Sequence, residues 1–325
     1  MKNQREKFRE LGRVLLSNET GPAELRAAVH ELFDLLSHIV GYDDREVSGE
    51  QRSDTFLSAG KAISFQGAAR CLWEFARTSK FLRGVAAAIR VAQQRFPGER
   101  IRLVEAGCGP FALLALPLAT QFSSDELSFT LLDIHQHSLD AARQIVDALG
   151  LASYVVSYVR ADASTWRCTE AQRPHVIVSE TMQQGLRKEP QVTITRHLAP
   201  QLLPGGLFVP ESIVLDFALL ACPLSPDGVP QMRLQRHKEL MNFSAETSNQ
   251  MFAGEFVMPE EVTKGSRPSL CTTIRVFADI VLQDNECSLT LPIILRDLPT
   301  VPGARISYAY QVSAVPGMDF SVVTT

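Results

Sequence analysis

The sequence predicts a mixed α/β protein, in which a parallel sheet follows an N-terminal helical segment and precedes a β-rich region. Three observations support this prediction. Apolar residues recur at helical spacing up to about residue 60, strand-like and helical segments alternate from about 61 to 210, and strand-like segments separated by turns follow from 211 to 325. The alternation of strand-like and helical segments between 61 and 210 is typical of βαβ units. We therefore predict three parts: residues 1–60, 61–210 and 211–325.

The composition is that of a globular protein with enough length for a substantial core. The 325 residues are 45% hydrophobic and 21% charged, with a formal net charge of −4. This balance predicts no basic surface for nucleic acid or an anionic membrane. No apolar run reaches the roughly 18 residues of a membrane-spanning helix. The charged N-terminus lacks the apolar core of a signal peptide.

Cysteine and histidine spacing argues against a disulfide framework and against a metal. The six cysteines are scattered, with no C-x-x-C pair, which favours a reducing compartment, so we expect a cytoplasmic protein. His135 and His137 form an H-x-H pair, but no third ligand lies near them in sequence. We therefore expect no metal.

The first part is expected to contain two amphipathic helices. One is MKNQREKFRELGRVLL, and the other is GPAELRAAVHELFDLLSHIVG, with Gly21-Pro22 at its start and Gly41 at its end. A polar link, DDREVSGEQRSD, follows. The helices either cover a functional site or mediate a homodimer.

The remaining strands are predicted from apolar and β-branched segments. The parallel sheet is expected to contain IRLVEAG, SFTLLDI, YVVSYVRAD, HVIVSE and GGLFVPES. Beyond Pro210 we predict mostly antiparallel strands in SIVLDFALLA, TTIRVFADIVLQ, CSLTLPIILRDL and ARISYAYQVSA. Residues 222–268 lack a clean period and support no prediction.

A glycine-bearing turn follows the first strand of the sheet, in LVEAGCGPFALLALPLA. Gly107 and Gly109 allow a tight turn and a close backbone approach to a ligand, and Pro110 suits the first turn of an apolar helix. The third glycine of a pyrophosphate-binding G-x-G-x-x-G turn is missing. Glu105, which precedes the turn, ends a core strand and needs a polar partner such as an ammonium group.

Two further acids end the second and third predicted strands. Asp133 can accept hydrogen bonds from both hydroxyls of a ribose, and Asp162 is placed to accept one from an adenine amino group. Each is alternatively a helix cap. In this order, and without a pyrophosphate turn, the features predict S-adenosyl-L-methionine rather than NAD. They resemble the class I S-adenosylmethionine-dependent methyltransferases, a Rossmann-like family whose first motif is E/D-x-G-x-G.

Two glutamates narrow this resemblance. Glu180 ends the strand HVIVSE, and Glu189 follows it by nine residues in VSETMQQGLRKEP. The spacing resembles the double-E loop of protein arginine methyltransferases, and Glu74, Arg77 and Thr78 match the acid-x-x-Arg-Thr of their cofactor-covering helix.

The resemblance implies a role for each matching residue. Glu105, Gly107 and Gly109 would contact the methionine side of the cofactor, Asp133 would bind its ribose, and Arg77 would bind its carboxylate. Glu180 and Glu189 would bind and polarise the methyl acceptor.

The chemistry of two paired carboxylates supports the same role independently of the resemblance. Two carboxylates suit a planar cation such as guanidinium, which presents parallel N–H donors. Holding the acceptor nitrogen in line with the methyl group supplies much of the catalysis. The alternative is that Glu180 caps a following helix while Glu189 pairs with Arg187 or Lys188 at the surface.

Several features depart from the arginine methyltransferase pattern. Thr181, Gln183 and Gln184 stand where its loop has aromatic and glycine residues, and Thr-His-Trp is missing near the C-terminus. The last third is also short for a barrel with a long dimerisation arm. We therefore expect a small-molecule methyltransferase, as in bacterial natural-product pathways, acting on an arginine-like or amine nitrogen or an indole-type carbon. The alternatives are a protein arginine methyltransferase and a non-catalytic cofactor-binding module.

Overall fold

The computed structural model describes residues 2–47, 49–223, 227, 231–260, 262 and 265–323 of the chain. Part of the segment 222–268, for which the sequence pattern supports no prediction, therefore lies outside the described residues.

Two N-terminal helices are present, as the sequence predicts. They are α1 (Lys2–Leu16) and α2 (Pro22–Val40). Pro22 opens α2, and Gly41 ends it in the left-handed conformation with its N–H donating to the Ser37 carbonyl. The polar link that follows contains a short helix, α3 (Gly49–Arg52). It continues into an antiparallel hairpin that was not predicted, formed by β1 (Thr55–Leu57) and β2 (Gly60–Ala62).

Five parallel strands form the central sheet, and the predicted fold class is confirmed. In chain order they are β3 (Ile101–Ala106), β4 (Leu127–Asp133), β5 (Val155–Arg160), β6 (Val176–Ser179) and β7 (Leu207–Val209). Their spatial order is β5-β4-β3-β6-β7, with every neighbouring pair parallel. β3, β4 and β6 are almost entirely buried, which explains why their sequences are continuous apolar runs.

Four more helices accompany the sheet: α4 (Phe65–Arg70), α5 (Phe75–Arg95), α6 (Gln136–Leu149) and α7 (Gln191–Leu198). The long helix α5 packs against α1 and α2 as well as against β3, β6 and β7. One apolar core extends from the N-terminal helices through the sheet into the C-terminal strands. The domain limits at residues 60 and 210 stay predictions.

The C-terminal third is β-rich and antiparallel, as predicted. Its strands are β8 (Ser212–Ala221), β9 (Arg233–Phe243), β10 (Ala253–Val257), β11 (Arg267–Phe277), β12 (Ile280–Leu282), β13 (Ile293–Ile294), β14 (Arg305–Gln311) and β15 (Gly317–Val322). One sheet has the order β12-β11-β8-β9, with β13 on β11, and the other has the order β10-β14-β15. The two sheets contact each other through Phe217 and Phe256, whose ring centroids lie 4.4 Å apart.

Two local predictions differ from the structure. The segment CSLTLPIILRDL forms a strand only at Ile293–Ile294, because a capped 3-10 helix (Ser288–Thr290) and then Pro292 interrupt it. The strand β9 has no sequence signal, because much of it is polar and exposed. Its pairing with β8 defines it.

Within the described ranges, no helix has both the length and the apolar character needed to cross a membrane. The same residues contain no group of three or more His, Cys, Asp or Glu side chains arranged to hold a metal ion.

Candidate active site

The topology of the parallel sheet creates a crevice between β3 and β6. The chain runs from β3 outward to β4 and β5, and then returns to place β6 on the other side of β3. Ligands in open parallel sheets bind at such a switch point, beyond the carboxyl ends of the strands. Glu105 and Ala106 lie opposite Val178 and Ser179 in this ladder. The glycine turn and Glu180 therefore emerge side by side.

The turn after β3 holds the backbone in left-handed conformations. Gly107 and Gly109 have φ angles of 77° and 61°, and the N–H groups of Gly107 and Cys108 both donate to the Leu132 carbonyl. A Cβ on Gly107 would lie 2.5 Å from the Cγ2 of Thr181, the residue after Glu180. Glycine is therefore required here both by backbone conformation and by the neighbouring loop.

The predicted apolar helix after this turn is wrong. Residues 109–115, including Pro110, form successive turns, and only a 3-10 helix (Leu116–Thr120) follows. Ala112 has a φ of 42°, and the N–H of Leu114 donates to Oε1 of Glu105 at 3.0 Å. Because the buried carboxyl holds this loop inward, the chain does not begin a regular helix at Pro110.

Glu105 is a buried acid that is only half satisfied by the protein. It is 3% exposed, and its Oε2 has no hydrogen-bond partner. Burial raises the pKa of its carboxyl to about 8, against the opposing effect of the backbone donors of Leu114 and Ala115. A positively charged or hydrogen-bonding ligand group would complete its environment.

Asp133 and Asp162 lie at the carboxyl ends of β4 and β5. Asp133 is buried, and its two oxygens accept from the backbone N–H groups of Gly109 and His135, each at 2.8 Å. Each oxygen keeps a second lone pair for a ligand hydroxyl. Asp162 accepts from the backbone and hydroxyl of Ser164 through Oδ1.

Arg77 lies between two glutamates. Its Nε donates to Oε2 of Glu180 at 3.0 Å, its second terminal nitrogen contacts the same oxygen, and its first donates to Glu74 at 3.0 Å. Glu74 in turn accepts from the backbone and hydroxyl of Ser288. The cation predicted to hold a ligand carboxylate is thus bound directly to one of the paired glutamates.

Glu180 has one carboxylate oxygen without a hydrogen-bond partner. Its side chain is 11% exposed, and Oε1 has no hydrogen-bond partner. Burial raises the pKa of Glu180, and the Arg77 guanidinium opposes that rise. The carboxylate can therefore hold Arg77 with one oxygen and accept from a ligand with the other.

The loop from Thr181 to Pro190 returns the second glutamate to the same place. Oε1 of Gln191 accepts from the N–H and the hydroxyl of Thr181, both at 2.9 Å, which closes the base of the loop. Two hydrogen bonds attach the loop to the β-rich region. The hydroxyl of Tyr310 donates to the Leu186 carbonyl, and the N–H of Lys188 donates to the Pro316 carbonyl.

Glu189 is consequently turned inward and is 5% exposed. Burial, together with the neighbouring Glu180, raises its pKa to about 8, while Arg77 and Lys61 act in the opposite direction. No ion pair of Glu189 with Arg187 or Lys188 is present among the described residues, and Glu180 pairs with Arg77 rather than capping a helix.

All eight side chains or glycines singled out from the sequence line one cavity of about 1090 Å³, a volume that includes its solvent-open mouth. They are Arg77, Glu105, Gly107, Gly109, Asp133, Asp162, Glu180 and Glu189. Their roles stay predictions, but the fold brings the full set together.

The β1–β2 hairpin forms a wall of the cavity that the sequence pattern does not predict. Leu57, Lys61 and Ala62 line the cavity, and the hydroxyl of Thr55 bonds to Nε2 of His135 at 2.9 Å. The strands have three residues each, too short for a periodic pattern. The only local signal is Gly60, which has a φ of 138°.

Comparison with known proteins gives a structural relationship without a sequence relationship. No protein-family model and no curated protein sequence matches the chain. Among solved structures it is similar to a chain of the Trypanosoma brucei PRMT1 enzyme–prozyme heterotetrameric complex with AdoHcy. The TM-score is 0.51 at 11% sequence identity, over 75% of this chain and 90% of the other. This similarity shows a shared fold.

Proposed function

We propose that this protein is an S-adenosylmethionine-dependent methyltransferase that acts on a small molecule. One observation carries the proposal: the glycine turn, the strand-end acids and two buried glutamates line a single cavity at the switch point of the sheet. The structural neighbour, which shares the fold, is a complex with AdoHcy, the by-product of methyl transfer from this cofactor.

The residues of the cavity fit such a cofactor. Glu105 and Glu180 line it, and each has one buried carboxylate oxygen, Oε2 and Oε1 respectively, without a hydrogen-bond partner in the protein, as expected where a cationic or hydroxyl-bearing ligand supplies one. Gly107 and Gly109 leave the backbone of the turn without side chains. Asp133 retains lone pairs for ribose hydroxyls.

When bound, S-adenosylmethionine supplies a methyl group already activated on a sulfonium. The chain's own residues then provide position and charge. Glu105 and the glycine turn would hold the methionine part, Asp133 the ribose and Asp162 the adenine. Arg77 would fix Glu180 through Nε and one terminal nitrogen, and would bind the cofactor carboxylate with the N–H donors that Glu180 and Glu74 leave unused.

Glu180 and Glu189 would bind the acceptor. A cationic acceptor would add its charge to that of Arg77 and lower the pKa of Glu189, so a neutral Glu189 carboxyl would become a stronger acid and release its proton to solvent when the acceptor binds. The two carboxylates would hold a nitrogen in line with the methyl group. For an indole-type carbon, one of them would act as a base.

The small-molecule assignment is supported by the hairpin wall. β2 lies against the loop that carries Glu189, with the Lys61 N–H on the Lys188 carbonyl at 2.7 Å, and the hairpin forms part of the wall of the cavity that contains the pair. The structural neighbour, a PRMT1 complex, supports a protein arginine as the alternative acceptor. A role in natural-product biosynthesis, a homodimer and a cytoplasmic location complete the proposal.

Calorimetry with S-adenosylhomocysteine tests the cofactor site first. We expect binding by the wild type. We expect Asp133→Ala to weaken it by about 1.5–3 kcal/mol because hydrogen bonds to a charged acceptor are lost. The exposed Asp125→Ala is the matched control and should bind like wild type. Absence of binding at millimolar ligand would favour a non-catalytic module of another kind.

Mass spectrometry of reactions with small amines, free amino acids and histone-like peptides tests the transfer. Methylation of a small molecule with release of S-adenosylhomocysteine supports the proposal. Transfer to peptides alone would replace it with the protein arginine alternative. Release of methylthioadenosine would indicate that the enzyme uses the aminobutyrate arm instead.

A further inference from the structure

Lys61 is placed beside Glu189 by a backbone contact. It is the central residue of β2, and its N–H donates to the Lys188 carbonyl at 2.7 Å. A Cβ on the preceding Gly60 would lie 2.8 Å from that carbonyl oxygen and 3.0 Å from the nitrogen of Pro190. A glycine is thus needed for the strand to come this close. The hairpin is fixed against the residues on both sides of Glu189.

Lys61 lines the cavity, and its ammonium group has N–H donors that Asp54 does not use. Its side chain is 20% exposed and contacts Oδ2 of Asp54 with its Nζ at 2.5 Å. Asp54 is itself held by the N–H of Ser64 at 2.9 Å. An ammonium group has three N–H donors, and Asp54 accounts for one of them.

Lys61 is also the one cation of the cavity wall that is not held between glutamates. Among the described lining residues, Lys61 and Arg77 are the only lysine or arginine, and Arg77 contacts both Glu180 and Glu74. The positive charge of Lys61 lowers the pKa of Glu189, in opposition to burial.

This arrangement is unsuited to an acceptor that is only cationic. An ammonium beside Glu189 would repel the positive charge that the paired glutamates attract, and like-charge contacts are a common means of excluding the wrong partner. An acceptor that carries an anionic group as well would turn the repulsion into an attraction. Free amino acids combine a reactive nitrogen or ring with a carboxylate.

We propose that Lys61 is a specificity-determining residue that binds the carboxylate of a small, amino-acid-like acceptor while Glu180 and Glu189 hold its reactive group. The inference rests on the proposed methyltransferase function and names the class of its substrate. Lys61 would contact the carboxylate of the acceptor and not its reacting nitrogen or carbon, so it would act on acceptor binding and not on the transfer step.

Matched acceptor pairs that differ only in the carboxylate test this assignment. The pairs are arginine and agmatine, lysine and cadaverine, and tryptophan and tryptamine, with methylated product measured by mass after cofactor binding has been verified by calorimetry. We expect kcat/KM at least tenfold higher for the amino acid than for its decarboxylated partner in at least one pair. A preference for the amine in every active pair, or cofactor binding with no pair methylated, would overturn the inference.

Two variants separate recognition from a purely structural ion pair. Lys61→Met should lose at least tenfold in kcat/KM for the amino acid, mainly through KM, and little for the amine. Asp54→Asn breaks the same ion pair but keeps the ammonium, so the preference for the carboxylate should persist. Equal loss in both variants would indicate that the pair only supports the hairpin.

Lys188→Met is the charge control, because its side chain is exposed and does not line the cavity. It should leave the preference unchanged, and a loss as large as that of Lys61→Met would count against the inference. Failure of calorimetric cofactor binding would instead contradict the proposed function itself, so the two failures are distinguishable.

Discussion

Glu180 combines two contacts that a surface glutamate would not have. One oxygen accepts from Arg77, and the other is buried and has no hydrogen-bond partner in the protein. Its charge would therefore act on whatever ligand group lies next to it, in a site where burial weakens screening by water. The side chain keeps its place through Arg77, whose guanidinium is fixed on the far side by Glu74.

We expect Glu180→Gln to lower kcat by about 10²–10³-fold, the range seen when one charge-stabilising group is removed from a preorganised site. The amide keeps the shape and removes the negative charge. Binding of S-adenosylhomocysteine should change little, because Gln can still accept from Arg77. The control is Glu239→Gln, an exposed residue of β9. Near-normal turnover in Glu180→Gln would contradict the acceptor role.

Glu105 links the cavity to a measurable pH dependence. Its pKa rises in the folded state from an ordinary value of 4.5 to about 8, mainly through burial. The folded state therefore holds this proton more tightly than the unfolded state does. Its stabilising contribution is complete below about pH 4.5 and is lost as the pH rises towards 8.

We expect the free energy of unfolding of the ligand-free protein to fall across this window, by up to about 1.4 kcal/mol per pH unit for such a group. Glu105→Gln, which has no proton to lose, should show a smaller fall in urea denaturation at pH 5.5 and 7.5. The exposed Glu19→Gln should follow the wild type. Identical slopes in Glu105→Gln and wild type would mean that Glu105 is already ionised.

The glycine turn and the double-glutamate loop form one unit at the level of structural elements. β3 and β6 are adjacent parallel strands, so their carboxyl ends bring Gly107 within van der Waals distance of Thr181. The hairpin β1–β2 joins this unit from the opposite side through Lys188. A side chain added in the glycine turn should therefore displace the loop that carries Glu180 and Glu189.

We expect Gly107→Ala to weaken S-adenosylhomocysteine binding more than tenfold, because its Cβ would collide with Thr181. Gly98→Ala is the matched control, because Gly98 has a φ of 79° against 77° for Gly107 and nothing within 4 Å of its Cβ position. Both variants should lose about 1–2 kcal/mol of stability from backbone strain, and only Gly107→Ala should lose affinity. Equal affinity in the two would show that the turn tolerates a side chain.

At the scale of the whole molecule, α5 joins the two sheet regions. It starts at the Glu74–Arg77 cluster, covers the parallel sheet and packs on β11 and β12 of the C-terminal third. α5 and β11 approach each other closely at Gly84, where a Cβ would lie 2.4 Å from Cγ1 of Val276. The continuous core implies that these regions unfold together.

We expect Gly84→Ala to destabilise the protein by about 1–3 kcal/mol through overpacking, in spite of the better helix propensity of alanine. Calorimetry should show a single transition at a lower temperature. Gly49→Ala, at the start of α3 with nothing within 4 Å, is the control. Two separated transitions in the wild type would argue for independent domains.

The sequence by itself determined the elements with strong periodic or terminal signals. The apolar runs of β3, β4 and β6 exist because both faces of a parallel sheet are buried, and α2 is delimited by Pro22 and Gly41. The acids at the strand ends could also be identified from the sequence, because burying a carboxylate at the end of an apolar run is costly unless it has a ligand or a partner.

Only the tertiary structure decided how those residues meet and what surrounds them. The irregular loop after Gly109 depends on Glu105, and β9 depends on its pairing with β8. Lys61 bonds to the backbone of Lys188, next to Glu189 and more than a hundred residues further along the chain, through a hairpin too short to have a periodic pattern. Such contacts are absent from any local stretch of sequence because their energy comes from burial and pairing with distant segments.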